Sequence, residues 1–179
     1  MKFCSHCGMP VHRAIPAGDH TFRFMCDECG SIHYENPRMI VGCLPRWEDK
    51  ILLCKRSNEP KAGKWTLPAG FLEKDETVEA GALRETMEEA HAEVNIVRLL
   101  SVYSVPIVAQ VYLFFLADLQ NLNFFPGAET ERTELFRESE IPWDEVAFSS
   151  VRFSLQSYLA SREADVERVF VGSYVEGNA

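Results

Sequence analysis

The sequence has no apolar run near the roughly 20 residues that cross a bilayer. Its first ten residues, MKFCSHCGMP, lack the apolar stretch of a secretory signal. It is short of bases, with 18 Lys and Arg against 27 Asp and Glu, a net charge of −9. No internal repeat and no low-complexity segment is present. The first two absences lead us to expect a cytoplasmic protein with no membrane partner. The shortage of bases argues against a nucleic-acid partner, because phosphate backbones are bound by Lys and Arg. It leaves a small phosphorylated ligand open, since a metal ion can bridge acid to phosphate. At 179 residues the chain is long enough for one well-buried domain and a small appendage.

Of six cysteines, four fall in two tight pairs, Cys4-x2-Cys7 and Cys26-x2-Cys29. Each pair can turn two thiolates toward one ion, and four thiolates describe a structural zinc site. Two disulfides are the competing reading, disfavoured in a reducing compartment. Gly8 and Gly30 follow the second cysteine of each pair, where such a knuckle uses glycine's freedom in φ. His6, His12, His20 and His33 are surface residues on this reading, because four cysteines already fill the shell. Cys43 and Cys54 lie in strand-like runs and read as small core residues. Residues 1–36 therefore form a zinc ribbon with too few large apolar side chains to fold without metal. Pro37 holds Asn36 extended at the junction, and residues 37–179 form the main domain.

In that domain MIVGCLPRW and ILLCKR read as strands joined at Glu48-Asp49-Lys50. SNEPKAGKWTLPAG reads as a loop, EVNIVRLLSVYSV and IVAQVYLFFLADL as two long strands, and PGAETERTELF as a loop returning to a strand. SVRFSLQSYLASRE carries Val151, Leu155, Tyr158 and Leu159 at helical spacing. VERVFVGSYV is a last strand or an extended arm.

The stretch GFLEKDETVEAGALRETMEEAHA, residues 70–92, holds seven acids against Lys74 and Arg84. From Glu76 to Ala90 it has no proline and mostly good helix formers, with Asp75 or Thr77 as cap. Ala80, Leu83, Met87 and Ala90 gather on one face, and Glu85, Glu88 and Glu89 on the other. Like charges at i,i+4 cost about 0.2–0.5 kcal/mol each unless a cation answers them. A solvated surface helix is the plain reading; hard oxygen ligands presented to Mg²⁺ are the sharper one.

The stretch resembles the Nudix box, Gly-x5-Glu-x7-Arg-Glu-U-x-Glu-Glu-x-Gly-U with U a bulky apolar residue. All five charged positions match, at Glu76, Arg84, Glu85, Glu88 and Glu89, and WTLPAG looks like the usual lead-in. His91 stands where the box has its glycine, Ala92 is small for the last apolar place, and Ala69 replaces a common second glycine. A non-glycine in a left-handed cap costs roughly 1 kcal/mol. The order of zinc ribbon, Tyr34-Glu35-Asn36-Pro37 junction and box is similar to NADH pyrophosphatases, whose Ser-Gln-Pro-Trp-Pro-Phe-Pro signature is absent here. It is also similar to FAD and ADP-ribose pyrophosphatases of plant-chloroplast type and their bacterial relatives, over nearly the whole length.

The resemblance implies an α+β fold, an α/β/α sandwich around a mixed sheet, and Mg²⁺- or Mn²⁺-dependent hydrolysis of a nucleoside diphosphate derivative. FAD (to FMN and AMP) and ADP-ribose (to AMP and ribose 5-phosphate) are the first substrates it implies. NADH or an NAD cap is the alternative, and a non-catalytic nucleotide sensor is the alternative of another class. Metal ligands are then Glu85, Glu88, Glu89 and the carbonyl of Gly70 or Ala69, with zinc on Cys4, Cys7, Cys26 and Cys29. Arg84 pairs with Glu76. The general base is Glu85 or Glu89, or Glu129 on a later loop. Arg56, Lys61 and Lys64 are candidate phosphate contacts, and Phe71, Tyr103, Gln110, Phe124 and Phe125 candidate ring contacts, against the plain readings of loop lysines and core aromatics. A homodimer is implied by likeness alone.

Overall fold

The computed structural model describes residues 1–163 and 167–174. The chain divides into two compact units, Met1–Pro37 and Arg38–Ala179.

The first unit is a three-stranded antiparallel sheet of β1 (His12–Ala14), β2 (Arg23–Met25) and β3 (Ile32–His33). Its buried side chains are Cys4, Pro16 and Cys26. Burying one Leu or Phe yields about 1.5–3 kcal/mol, and this unit buries none. All six cysteines of the chain are free thiols, which sets the disulfide reading aside.

The second unit builds one mixed sheet. Its strands are β4 (Arg38–Trp47), β5 (Lys50–Arg56), β6 (Trp65–Thr66), β7 (Ala69–Phe71), β8 (Val94–Val105), β9 (Gln110–Leu119), β10 (Thr130–Arg137) and β11 (Phe170–Ser173). The order is β10-β5-β4-β9-β8-β11, with β6 on β5 and β7 on β4. β4 runs parallel to β9 and β8 parallel to β11; the other pairs are antiparallel. β6 and β7 fall within the stretch read as loop, because two or three residues are too few to show alternation. The second long strand begins at Gln110, after a 3-10 turn over Pro106–Val108. Of the tail, Phe170–Ser173 form β11, while Val166 and Val175 lie outside the described residues.

Alternation along the strands makes two cores. Leu44, Ile51, Leu53, Phe114 and Leu116 face helix α2 (Ser149–Glu163) and meet its Val151, Leu155 and Tyr158. Val41, Cys43, Leu52, Cys54, Phe115 and Ala117 face helix α1 (Val78–Ala90) and meet its Ala82 and Ala90. The result is a helix on each face of the sheet, the α/β/α layering expected.

α1 does not bury the face the sequence indicates. Gly81, Ala82, Thr86 and Ala90 are buried, whereas Leu83 and Met87 are each 39 % exposed. A Cβ on Gly81 would come within 2.9 Å of Leu72 and Val41, so small residues let the helix axis approach the sheet. That close approach outweighs burial of the larger Leu83 and Met87. Thr77, not Asp75, caps the helix, its hydroxyl accepting from Ala80 N–H at 3.1 Å.

Candidate active site

α1 carries four of the five charged box residues, and one of them organises the rest. The Arg84 guanidinium donates twice to Glu76, Nη2 to Oε1 at 2.8 Å and Nε to Oε2 at 3.1 Å. It also donates to the Phe71 carbonyl at 3.1 Å, to Glu85 Oε1 at 2.7 Å and to Glu88 Oε2 at 3.2 Å. Glu76 in turn accepts from Glu73 N–H at 2.7 Å. The fork ties helix, preceding loop and β7 together. It holds Glu76 below the usual carboxylate range, chiefly through the Arg84 hydrogen bonds.

Glu89 is placed differently. Its Oε2 accepts from Ala69 N–H at 3.2 Å. Burial pushes its carboxyl up to about 8; Ala69 N–H and the Arg56 charge pull the other way, and the charges of Glu85 and Glu129 add to the rise. Burial also raises Glu85, against the pull of Arg84. Gly70 makes room for Glu85, since a Cβ there would lie 2.3 Å from the Glu85 carboxylate carbon. Two partly buried carboxyls held against their own charge, beside a backbone that leaves no room for a side chain, suit a divalent cation.

In the first unit the Cys4, Cys7, Cys26 and Cys29 sulfurs lie within 4.8 Å of one another, with Cys4–Cys29 at 3.6 Å and Cys7–Cys26 at 3.5 Å. A tetrahedral zinc with Zn–S of about 2.3 Å has sulfurs about 3.8 Å apart, so the four fit one ion. His33 Nε2 lies 3.3 Å from Cys4 Sγ, outside that shell. Among the described residues this is the one group of three or more such ligand atoms drawn so close. The α1 glutamates are spread wider, with Arg84 between Glu85 and Glu88.

A cleft of about 720 Å³ runs from Gly70 and Phe71 along β4 and β9 to the start of α2. Among the described residues its lining includes the cations Arg38, Arg56 and Lys61 and no Asp or Glu. Arg56 lies over the Phe148 ring at 5.2 Å and donates through Nε to the Pro60 carbonyl at 3.0 Å. Arg38 lies over Phe71 at 4.8 Å. Tyr112 donates its hydroxyl hydrogen to Gln110 Oε1 at 2.9 Å.

Arg56, Lys61, Phe71 and Gln110 thus line the cleft, as the sequence suggests. Lys64 does not: its Nζ reaches the Asp144 carbonyl at 3.5 Å. Tyr103 is 7 % exposed and packs on Phe153, with ring centroids 5.0 Å apart, on the plain reading of a core aromatic. Phe124 packs against the α1-side core and Phe125 lies outside the cleft. Arg38, Tyr112 and Phe148 were missed. Tyr112 had a signal, since it shares the α2-facing side of β9 with Phe114 and Leu116.

Comparison with known proteins decides the family. The model of the NUDIX domain matches residues 36–156, and the Nudix N-terminal zinc-ribbon model matches residues 2–35. The chain belongs to the Nudix family. A Nudix hydrolase from Nitrosomonas europaea has a crystal structure with TM-score 0.93 and 50 % identity, covering 97 % of this chain and 99 % of that one. The NAD-capped RNA hydrolase NudC of Edwardsiella ictaluri is 33 % identical over 117 residues, 65 % of this chain and 44 % of that protein. The chain thus spans less than half the length of that curated relative. The ADP-ribose pyrophosphatase of Methanocaldococcus jannaschii is 33 % identical over 113 residues, 61 % of this chain and 67 % of that protein. Nudix hydrolases use a divalent metal, and no helix among the described residues is long and apolar enough to cross a membrane.

Proposed function

We propose that this Nudix hydrolase cleaves the diphosphate bond of an adenine dinucleotide or its relatives, with an NAD-type substrate first, ADP-ribose second and FAD third. One observation carries the reading. In a chain of net charge −9, the described residues that line the cleft include three cations and no carboxylate, and at Gly70 it opens beside Glu85. That is a place for two phosphates with rings on either side. The relatives' names set the order of substrates. The missing Ser-Gln-Pro-Trp-Pro-Phe-Pro run keeps ADP-ribose close behind. A capped RNA enters the substrate range with the NAD class, so the expectation of no nucleic acid, drawn from net charge, is not carried forward.

Glu85, Glu88 and Glu89, with the Gly70 or Ala69 carbonyl, hold Mg²⁺ or Mn²⁺, and the four cysteines hold Zn²⁺. The bound divalent cation supplies charge neutralisation at the phosphates and a lower pKa for the attacking water. Arg84 takes no part in substrate contact; it fixes Glu76, Glu85 and the turn at Phe71. Arg38, Arg56 and Lys61 orient the diphosphate, and Phe71 and Phe148 flank the rings. Glu129 takes the proton from water. Its carboxylate is exposed and makes no hydrogen bond among the described residues, whereas Glu85 is tied to Arg84 and Glu89 to Ala69 N–H.

The test is hydrolysis by the full chain with Mg²⁺ or Mn²⁺, read as AMP released from NADH, ADP-ribose and FAD and as NMN released from NAD-capped RNA, which keeps a 5′-monophosphate. Release from an NAD-type substrate faster than from FAD is expected. Measured ADP-ribose binding with no diphosphate cleavage of any substrate would establish the sensor instead.

Two further results are expected. Gly70→Ala pushes the Glu85 carboxylate aside, so metal activation shifts to about 10–100-fold higher concentration while the fold persists. An unchanged activation curve would remove Gly70 from the site. The second concerns pH. Glu89 has a folded pKa above its unfolded one, so the native state binds the proton more tightly. Stability therefore falls as pH rises from its ordinary 4.5 to about 8. Metal binding displaces that proton, so Mg²⁺ raises Tm more at about pH 8.5 than at about pH 6. Equal shifts at both pH values would take Glu89 out of the ligand set.

A further inference from the structure

The family's box ends its helix on glycine, and this chain has His91. His91 adopts φ 45° and ψ 36°, and its N–H donates to the Met87 carbonyl at 2.9 Å. A left-handed cap of this kind favours glycine, so the side chain is kept at the expense of backbone strain.

Among the described residues that side chain both stacks on and hydrogen-bonds to one residue of a distant loop. Its ring lies flat on Phe125, with centroids 4.0 Å apart and planes 13° apart. Its Nδ1–H donates to the Phe125 carbonyl at 3.3 Å. The loop in turn closes the end of α1: Phe125 N–H donates to the Ala90 carbonyl at 3.0 Å and Gly127 N–H to the Glu89 carbonyl at 2.9 Å. These are carbonyls a helix end leaves open. The approach needs glycine at 127, where a Cβ would come 1.8 Å from the Glu88 carbonyl oxygen. Phe125 remains 56 % exposed, so burial in a core does not account for its place; the His91 ring does. Two residues beyond Gly127 stands Glu129, whose carbonyl accepts from Ser57 N–H at 3.0 Å.

We infer that His91 is a positioning residue: with Phe125 it clamps the 121–129 loop onto the end of α1 and so fixes Glu129 beside Glu85 and Glu89. The inference rests on the reading that Glu129 serves the hydrolysis. The glycine of the box would close the helix equally well and leave Phe125 without the ring that holds it, the rest of the loop resting on Phe124, the Asn121–Glu93 hydrogen bond and its backbone bonds. This chain trades an easier cap for a fixed loop.

The test uses the full chain and four variants: His91→Gly, His91→Asn, Glu129→Gln and the double variant His91→Gly/Glu129→Gln. His91→Gly is expected to fold with Tm at or above the parent, because the cap is relieved. Its kcat falls about 10-fold with KM little changed, since a small misplacement of a reacting group costs that much or more. Amide exchange at Phe125 and Gly127 quickens in the same variant. His91→Asn tolerates the left-handed backbone and offers an amide N–H to the Phe125 carbonyl, so it recovers part of kcat. The double variant is no slower than Glu129→Gln, the mark of two residues acting through one group. Parent kcat and unchanged exchange in His91→Gly, with Glu129→Gln slow, would overturn the clamp and leave the role of Glu129 standing. Parent kcat in Glu129→Gln would overturn that role itself.

Discussion

Glu89→Gln is expected to lower kcat/KM by about 10³-fold or more while the protein folds as well as its parent. Removing one properly placed proton-handling or charge-bearing group costs about 10²–10⁴-fold, and Glu89 sits deepest of the three α1 carboxyls proposed to hold the metal. The amide keeps an oxygen to accept the Ala69 N–H, so the local geometry has no reason to change. It also removes a charge that burial disfavours, so the metal-free variant is expected to melt above the parent near pH 8, and Mg²⁺ to shift its Tm far less. Activity lost and stability gained together are the signature of a group kept for function. Glu88→Gln, at a side chain 58 % exposed, is expected to cost less. A folded Glu89→Gln enzyme with near-parent turnover would reject the assignment.

The second large effect concerns the ribbon. Cys26→Ser, or removal of zinc by a strong chelator, is expected to abolish amide-exchange protection throughout residues 1–37. Structural zinc contributes on the order of 10–16 kcal/mol of folding free energy in small ribbons, and nothing else in this unit is of that size. Its sheet is three strands of two or three residues, and its interior is two cysteines and a proline. Exchange measured peptide by peptide, with zinc content by mass, reads the result. Persistent protection in zinc-free protein would mean that some other interaction holds the unit.

What the sequence discloses depends on how local the cause is. The cysteine pairs and the box are short local spacings, so the four-sulfur cluster and the Arg84–Glu76 pair can be read directly. The strands follow from alternation, and α2 from its apolar repeat. The buried face of α1 does not, because apolarity favours Leu83 and Met87, while the close approach of helix to sheet favours Gly81 and Ala82, and a sequence does not show which neighbour the helix meets. The cleft is harder still. Phe148, Tyr112 and Arg38 come from three separate segments, and β4–β9 pairing brings two of them together. Net charge misleads for the same reason, since −9 over the whole chain is compatible with a cleft whose described lining residues carry positive charge only.

The pairing of β4 with β9 has a consequence for how the protein is made. Arg38 pairs with Gln110 and Arg46 with Asp118, so the centre of the sheet joins residues far apart along the chain. Such long-range, parallel pairings are slow to form. α1 packs against Phe115 and Ala117 of β9, which leave the ribosome well after the helix itself. During synthesis the complete box therefore exists as a chain segment before there is any surface for it to lie on. A nascent chain that stops short of β9 carries every carboxylate of the box and no site.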